Sequence, residues 1–293
     1  MDSEPDYEKH REAGEILSEV REEAASTVEV GASLLEVAET AEEAIRDAGA
    51  KPAFPVNISR DEEAAHATPS RDDDETFGEE MVNLDIGVHV DGWIADSAVT
   101  VDLSGNDELA QASRDALDAA LDTVEAGVST AEIGRVIEET VKGHGYNPVY
   151  NLTGHGLGEY TQHTSPNIPN RGVDKGVELE EGMVVAIEPF ATDGSGKVEE
   201  GSSKEIFSLN QTDPRVRSRR ARELVETVQE EYRTLPFAKR WLPDDRLDMN
   251  LRKLESSDVV HGYPVLKEDE GNLVSQAEHT VIVEEDGCEI TTL

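Results

Sequence analysis

"VNLDIGVHVDGWIADSAVTVDL" runs from Val82 to Leu103. Asp91-Gly92 lies at its centre, flanked on both sides by valine, isoleucine and tryptophan. An Asp-Gly pair between two apolar runs is the strongest short hairpin signal, because the turn needs positive φ at both central residues. Placing that pair in the loop sets the register: Val90 faces Trp93, Gly87 faces Asp96 and Asp85 faces Ala98. Asp85 and Gly87 are two apart and share a face of the sheet. Asp96 therefore lies on the face of Asp85, diagonally placed, with Cα atoms roughly 7–8 Å apart. Gly87 is expected to leave open the space opposite Asp96. Aspartate is depleted in strands and rarely buried alone. Two carboxylates converging on a buried face repel unless they share a proton or hold cations between them. A solvated sheet face is the plain alternative. A proton-sharing dyad of the aspartic-protease kind is another, and it offers histidines no role.

Working outward, residues 7–25 read as an amphipathic helix with Ile16, Leu17 and Val20 on one face. A second helix covers about 33–48 and stops at Gly49 and Pro52. "FPVNIS" reads as a short strand, and 59–80 as polar loop. Helices follow the hairpin at 107–126 and 130–143. An internal repeat is visible: "VEVGASLLEVAETAEEAIRDAGAKP" from Val28 matches "VEAGVSTAEIGRVIEETVKGHGYNP" from Val124, an offset of 96. Gly31 aligns with Gly127, Ser33 with Ser129, Gly49 with Gly145 and Pro52 with Pro148. Two copies imply a pseudo-two-fold body rather than a solenoid. "GMVVAIEPF" (182–190) is an apolar strand that meets Glu188 and is broken by Pro189. Residues 193–273 differ in character and read as an inserted, mostly helical subdomain. It carries an arginine-rich helix at 215–222 whose charges are expected to pair with acidic neighbours. The final stretch is a hairpin turning at Asp286-Gly287.

The 293 residues carry 65 acids against 26 bases, a formal net charge of −39. Phosphate binding needs cationic surface, so a nucleic-acid partner is not expected. The acids are spread along the helices with only short runs such as Asp72–Glu75. That fits the solvated acidic surface of a halophilic protein better than an acidic interaction tail. Cys288 is the single cysteine, which excludes an intrachain disulfide and a zinc-thiolate cluster. The N-terminal stretch shows no basic and apolar leader pattern, and no run reaches membrane-spanning length. A cytoplasmic location is the expectation.

Beyond the hairpin, "LTGHGLGEYTQH" sets His155 in a glycine-rich turn with His163 eight residues on. Glu188 ends an apolar strand, and Glu278 opens the last hairpin. Asp85, Asp96, His155, Glu188 and Glu278 form an oxygen-rich set without sulfur. Such a set suits Mn, Fe or Co, with Zn also possible, in a two-metal site that activates water.

The order of these residues resembles the methionine aminopeptidases. The likeness runs through "FPVNISRDEEAAH", "LDIGVHVDGWIADSAVT", "LTGHGLGEY", "AIEPF" and "AEHT", covering nearly the whole chain. The long insertion between Glu188 and Glu278 resembles that of the type 2 enzymes, and the short N-terminus the archaeal ones. The resemblance implies an α+β "pita-bread" fold, with a catalytic body at 1–192 and 274–293 and a winged-helix-like insert at 193–273. It implies that Asp85 chelates a first divalent ion, that Asp96 and Glu278 bridge two, and that His155 and Glu188 hold the second. It further implies that His66 and His163 contact substrate, that Glu188 shuttles a proton, and that Phe54 and Tyr263 wall a methionine pocket. Ala277 departs from the aromatic residue often found before the last ligand. Implied partners are nascent chains with N-terminal methionine, near the ribosome, acted on by a monomer. Prolidase-type peptidases, or a non-catalytic relative that binds partners, are the competing readings. His10, His89, His144 and His261 lack motif context and read as structural. His279 should face away from Glu278 across its strand.

Overall fold

The computed structural model describes residues 4–211, 214, 216, 218–242 and 246–293. Helix α1 (Tyr7–Thr27) starts at Asp6, whose side chain accepts from the Lys9 amide. It buries Ala13, Leu17, Val20 and Ala24, a helical stripe at spacings of three and four. Helix α2 (Leu34–Asp47) is capped by Ser33. The hairpin follows as strands Met81–Val90 and Trp93–Asp102. Its register pairs Val90 with Trp93, Gly87 with Asp96 and Asp85 with Ala98, as the turn chemistry dictates. Asn57–Arg60 and Lys51–Pro52 both pair with Met81–Val90. Helices α1 and α2 share one apolar core with this sheet.

The second half repeats the plan. Helix α3 (Asp107–Leu121) and helix α4 (Thr130–Gly143) share a second core with a five-stranded antiparallel sheet. That sheet runs in the order Gly287–Ile290, His279–Glu284, Val184–Ile187, Thr153–Gly158, Thr161–Pro169. The repeat is physical: α2 and α4 are both 14 residues long, each capped by a serine side chain. Gly31 and Gly127 both adopt φ near +90°, and so do Gly49 and Gly145, conformations glycine reaches without a steric cost. Pro52 and Pro148 each sit in a two-residue strand.

Three expectations shift. Helix α3 ends at Leu121, five residues short of 126, because Asp122–Ala126 turn back to bond the last sheet, where the Ala126 amide donates to Glu284. Phe54–Val56 lie outside the strand, since Ala53 already bonds Gly87 and the chain must turn before Asn57. Within 59–80, Glu63–Ala65 forms a strand by pairing with Leu266–Lys267, a long-range contact that local polarity cannot reveal.

Between 193 and 273, Glu199–Glu200 and Leu266–Lys267 pair and remain bonded to the body. Farther out, Ile206–Leu209 pairs with Phe237–Ala238 and Val260–Tyr263. Helices α5 (Arg219–Glu231) and α6 (Leu247–Glu255) cover this small sheet and share a separate apolar core with it. Of the expected arginine-rich helix, Arg215 and Arg217 lie outside the described residues. Arg219 pairs with Glu223 at 2.8 Å. Among the described residues, no helix is long and apolar enough to cross a membrane.

Candidate metal centre

Asp85, Asp96 and His155 lie within strands, whereas Glu188 directly follows the strand Val184–Ile187 and Glu278 directly precedes His279–Glu284. Asp85 and Asp96 come from the hairpin. Glu278 exchanges backbone hydrogen bonds with Ala98, the partner of Asp85, which brings the last hairpin against the first. Thr280 locks this contact: its hydroxyl accepts from the Asp96 amide and donates to the Asp96 carbonyl, both at 2.8 Å. His155 lies on Thr153–Gly158, opposite Ala186, two residues before Glu188. The glycines beside it are steric requirements: a Cβ on Gly154 would meet the Ala186 carbonyl at 2.3 Å, and one on Gly156 the Ser165 carbonyl at 2.4 Å.

His155 Nε2 lies 3.5 Å from Glu188 and 3.9 Å from Asp96. Ligand atoms of Asp96, His155 and Glu278 all fall within 4.8 Å of one another. Burial raises all four carboxylates: Asp85 to about 7, and Asp96, Glu188 and Glu278 well above their usual range, the latter three also pushed up by their neighbours' charges. Burial, and then His163, hold His155 down at about 3, so the ring is neutral. Its Nδ1 donates to the Gly156 carbonyl at 3.3 Å, which leaves the Nε2 lone pair facing carboxylate oxygens. Asp85 Oδ1 and Asp96 Oδ1 are buried without a hydrogen-bond partner. Acceptors turned toward acceptors in a dry site call for a cation among them. Hard oxygen donors with one imidazole fit divalent metals of the Mn, Fe, Co or Zn kind.

The substrate candidates gather alongside. His163 packs edge-on to His155, ring centroids 4.2 Å apart. His66 lies close enough to His163 for their charges to oppose each other, and Tyr263 packs edge-on to it at 5.4 Å. The Tyr263 hydroxyl meets Ser208 at 3.0 Å. Phe54 corrects one expectation. The space above Gly87 is filled, since a Cβ there would lie 2.1 Å from the Phe54 ring. Glycine at 87 thus admits an aromatic wall opposite Asp96. His279 faces away, bonding Thr292 at 2.8 Å.

Two glutamines escaped the sequence reading. Gln276, buried, donates to Glu278 at 3.3 Å and also bonds Asp85. Gln162 bonds Asp96. The signal for Gln276 was its spacing: two residues before Glu278 it shares that face of the strand.

A metallopeptidase is the class this fold and donor set define. The chain belongs to metallopeptidase family M24, whose family model matches residues 8–285. It is 54% identical over 286 residues to a methionine aminopeptidase of Archaeoglobus fulgidus, covering 97% of this chain and 98% of that one. To the methionine aminopeptidase of Pyrococcus abyssi it is 47% identical, covering 98% and 99%. Among solved structures, a methionine aminopeptidase from Thermotoga maritima superposes with a TM-score of 0.72 at 22% identity, covering 100% of this chain and 99% of that one. A prolidase from Pyrococcus furiosus gives 0.64 at 19%, this chain spanning 65% of it. A structure described as a thermophilic Arx1 gives 0.86 at 18%, covering 97% and 89%.

Proposed function

We propose that this chain is a methionyl aminopeptidase, a metal-dependent hydrolase that removes N-terminal methionine from polypeptides whose second residue is small. The observation that carries the reading is the cluster of buried Asp96 and Glu278 with partly buried Asp85 and Glu188 around a neutral imidazole, in a chain similar over nearly its full length to archaeal methionine aminopeptidases. Asp85, Asp96, His155, Glu188 and Glu278 would hold two divalent ions. Such ions, when bound, polarise a scissile carbonyl and lower the pKa of water.

The chain's own residues would do the rest. Gln276 and Gln162 orient the carboxylates they bond. Glu188 would carry a proton to the leaving amine. Burial keeps His163 below the usual histidine range and therefore neutral at pH 7, so one ring N–H is available to a developing oxyanion. His66 donates Nδ1–H to the Pro264 carbonyl at 3.2 Å. Its Nε2 is thereby left as an acceptor for a substrate amide N–H. Phe54 and Tyr263 would wall the methionine side chain. Residues 193–273 act as an inserted, winged-helix-like subdomain on the 1–192 and 274–293 body, a division supported by the insert's separate core. Nascent chains met near the ribosome in the cytoplasm would be the substrates, with no nucleic-acid contact required of this monomer. Metal analysis combined with hydrolysis of Met-Ala-Ser against Xaa-Pro peptides tests the reading. Methionine release is expected, and preferential Xaa-Pro cleavage would favour a prolidase.

A further inference from the structure

A loop carries His66 and a strand carries His163, the substrate histidines of the proposed reaction, and one stretch of the insert grips the chain beside both. Thr234 donates its hydroxyl to the Tyr160 carbonyl, and Arg233 lies over the Tyr160 ring, 4.0 Å from its centroid. Tyr160 opens the turn into the Thr161–Pro169 strand that carries His163. Six residues farther on, Arg240 enters the loop that follows His66. Its guanidinium donates to the Thr68 hydroxyl at 2.7 Å and to the Pro69 carbonyl at 3.1 Å. Arg71, from the same loop, donates back to the Leu242 carbonyl.

Arg240 is not a surface cation that happens to lie nearby. Its side chain and that of Glu42 are each 2% exposed, and the two form an ion pair. Glu42 also accepts from the Val56 amide at 3.3 Å and from the Trp241 indole at 2.6 Å. The Thr68 hydroxyl, accepting from Arg240, donates to the Val56 carbonyl at 2.7 Å. A closed buried network thus ties α2, residue 56, the 68–69 loop and the insert together. His66 stands at its edge with φ +64°. A non-glycine residue holds that conformation only where its surroundings impose it.

We propose that Arg240 is a positioning residue for His66: by clamping Thr68 and Pro69 it holds the His66 ring where Nε2 can meet the substrate backbone. The proposal rests on the reading of His66 as a substrate contact. The insert therefore completes the active site rather than merely decorating it. Removing Arg240 alone would leave the buried Glu42 charge with only the more distant Arg46, 3.9 Å away, and risk misfolding. Two gentler variants avoid that. Thr68→Val deletes only the hydroxyl, and the pair Glu42→Gln with Arg240→Met removes both charges together.

The experiment measures kcat/KM for Met-Ala-Ser, metal content and melting temperature for each variant, in the parent and in a His66→Ala background. In the parent, each variant is expected to lower kcat/KM about tenfold, within the range that small misplacements of a reacting group cost, with metal content unchanged. In the His66→Ala background the same changes should cost less than about twofold, because the residue they act through is gone. Parental kcat/KM in a folded, metal-loaded variant, or an equal loss in both backgrounds, would overturn the positioning role and leave the His66 contact standing. If His66→Ala alone keeps parental kcat/KM, the substrate role of His66 fails, and the proposal fails with it.

Discussion

Asp96 and Glu278 lie where the two hairpins meet, each pushed up by burial and by neighbouring carboxylates. Replacing either with alanine should abolish Met-Ala-Ser hydrolysis and lower the bound metal, measured by elemental analysis. Parental turnover with full metal content would contradict the assignment. His163 packs edge-on to the His155 ring, centroids 4.2 Å apart. His163→Ala should therefore leave metal bound while kcat falls by roughly 10²–10³, the cost of an oxyanion donor. A loss explained entirely by lost metal would remove that role. At this scale, the candidate ligands were legible because carboxylates inside apolar strands have no packing use. Gln276 offered only its spacing from Glu278, and Gln162 offered nothing, because a neutral amide in a strand carries no charge that demands a partner.

The hairpin was legible down to its register, since Asp91-Gly92 leaves one way to pair the strands. What the pattern could not show was how the turn is held. His89, expected to be structural, accepts the Gly92 amide on Nδ1 at 3.0 Å. That bond requires a neutral ring. Burial, followed by the Lys51 charge, lowers its pKa from 6.5 to about 4, with Asp91 opposing and Arg233 adding to the fall. A folded pKa below the unfolded one stabilises the protein above pH 6.5, and the contribution is lost as pH falls from 6.5 toward 4. It amounts to about 3 kcal/mol at most. Denaturant melts across that window should show a shallower pH dependence for His89→Asn than for the parent, and parallel curves would contradict this. The Glu63–Ala65 strand was invisible for the opposite reason, since its partner lies some two hundred residues away in sequence.

Over the whole molecule, the repeat with offset 96 revealed the two-fold plan, because capping serines and turn glycines survive where side-chain packing diverges. The clamp of the insert on the body was hidden, resting on Arg240 and Glu42, which look like any surface pair in a chain with 91 acids and bases together. The net charge of −39 makes the folded state repel itself. Screening length falls from about 30 Å at 0.01 M salt to about 3 Å at 1 M. We propose that the composition is a halophilic adaptation, so melting temperature should rise between about 0.1 M and 3 M KCl, the range over which that screening tightens. A flat series would refute it. Metal-dependent methionine removal by the carboxylate and imidazole cluster is read out by methionine release from Met-Ala-Ser during metal titration of chelator-stripped protein held at high salt. Stripping should leave a folded, inactive protein whose activity returns with divalent ions and levels off at two per chain. Undiminished hydrolysis by the stripped, metal-free protein would contradict it.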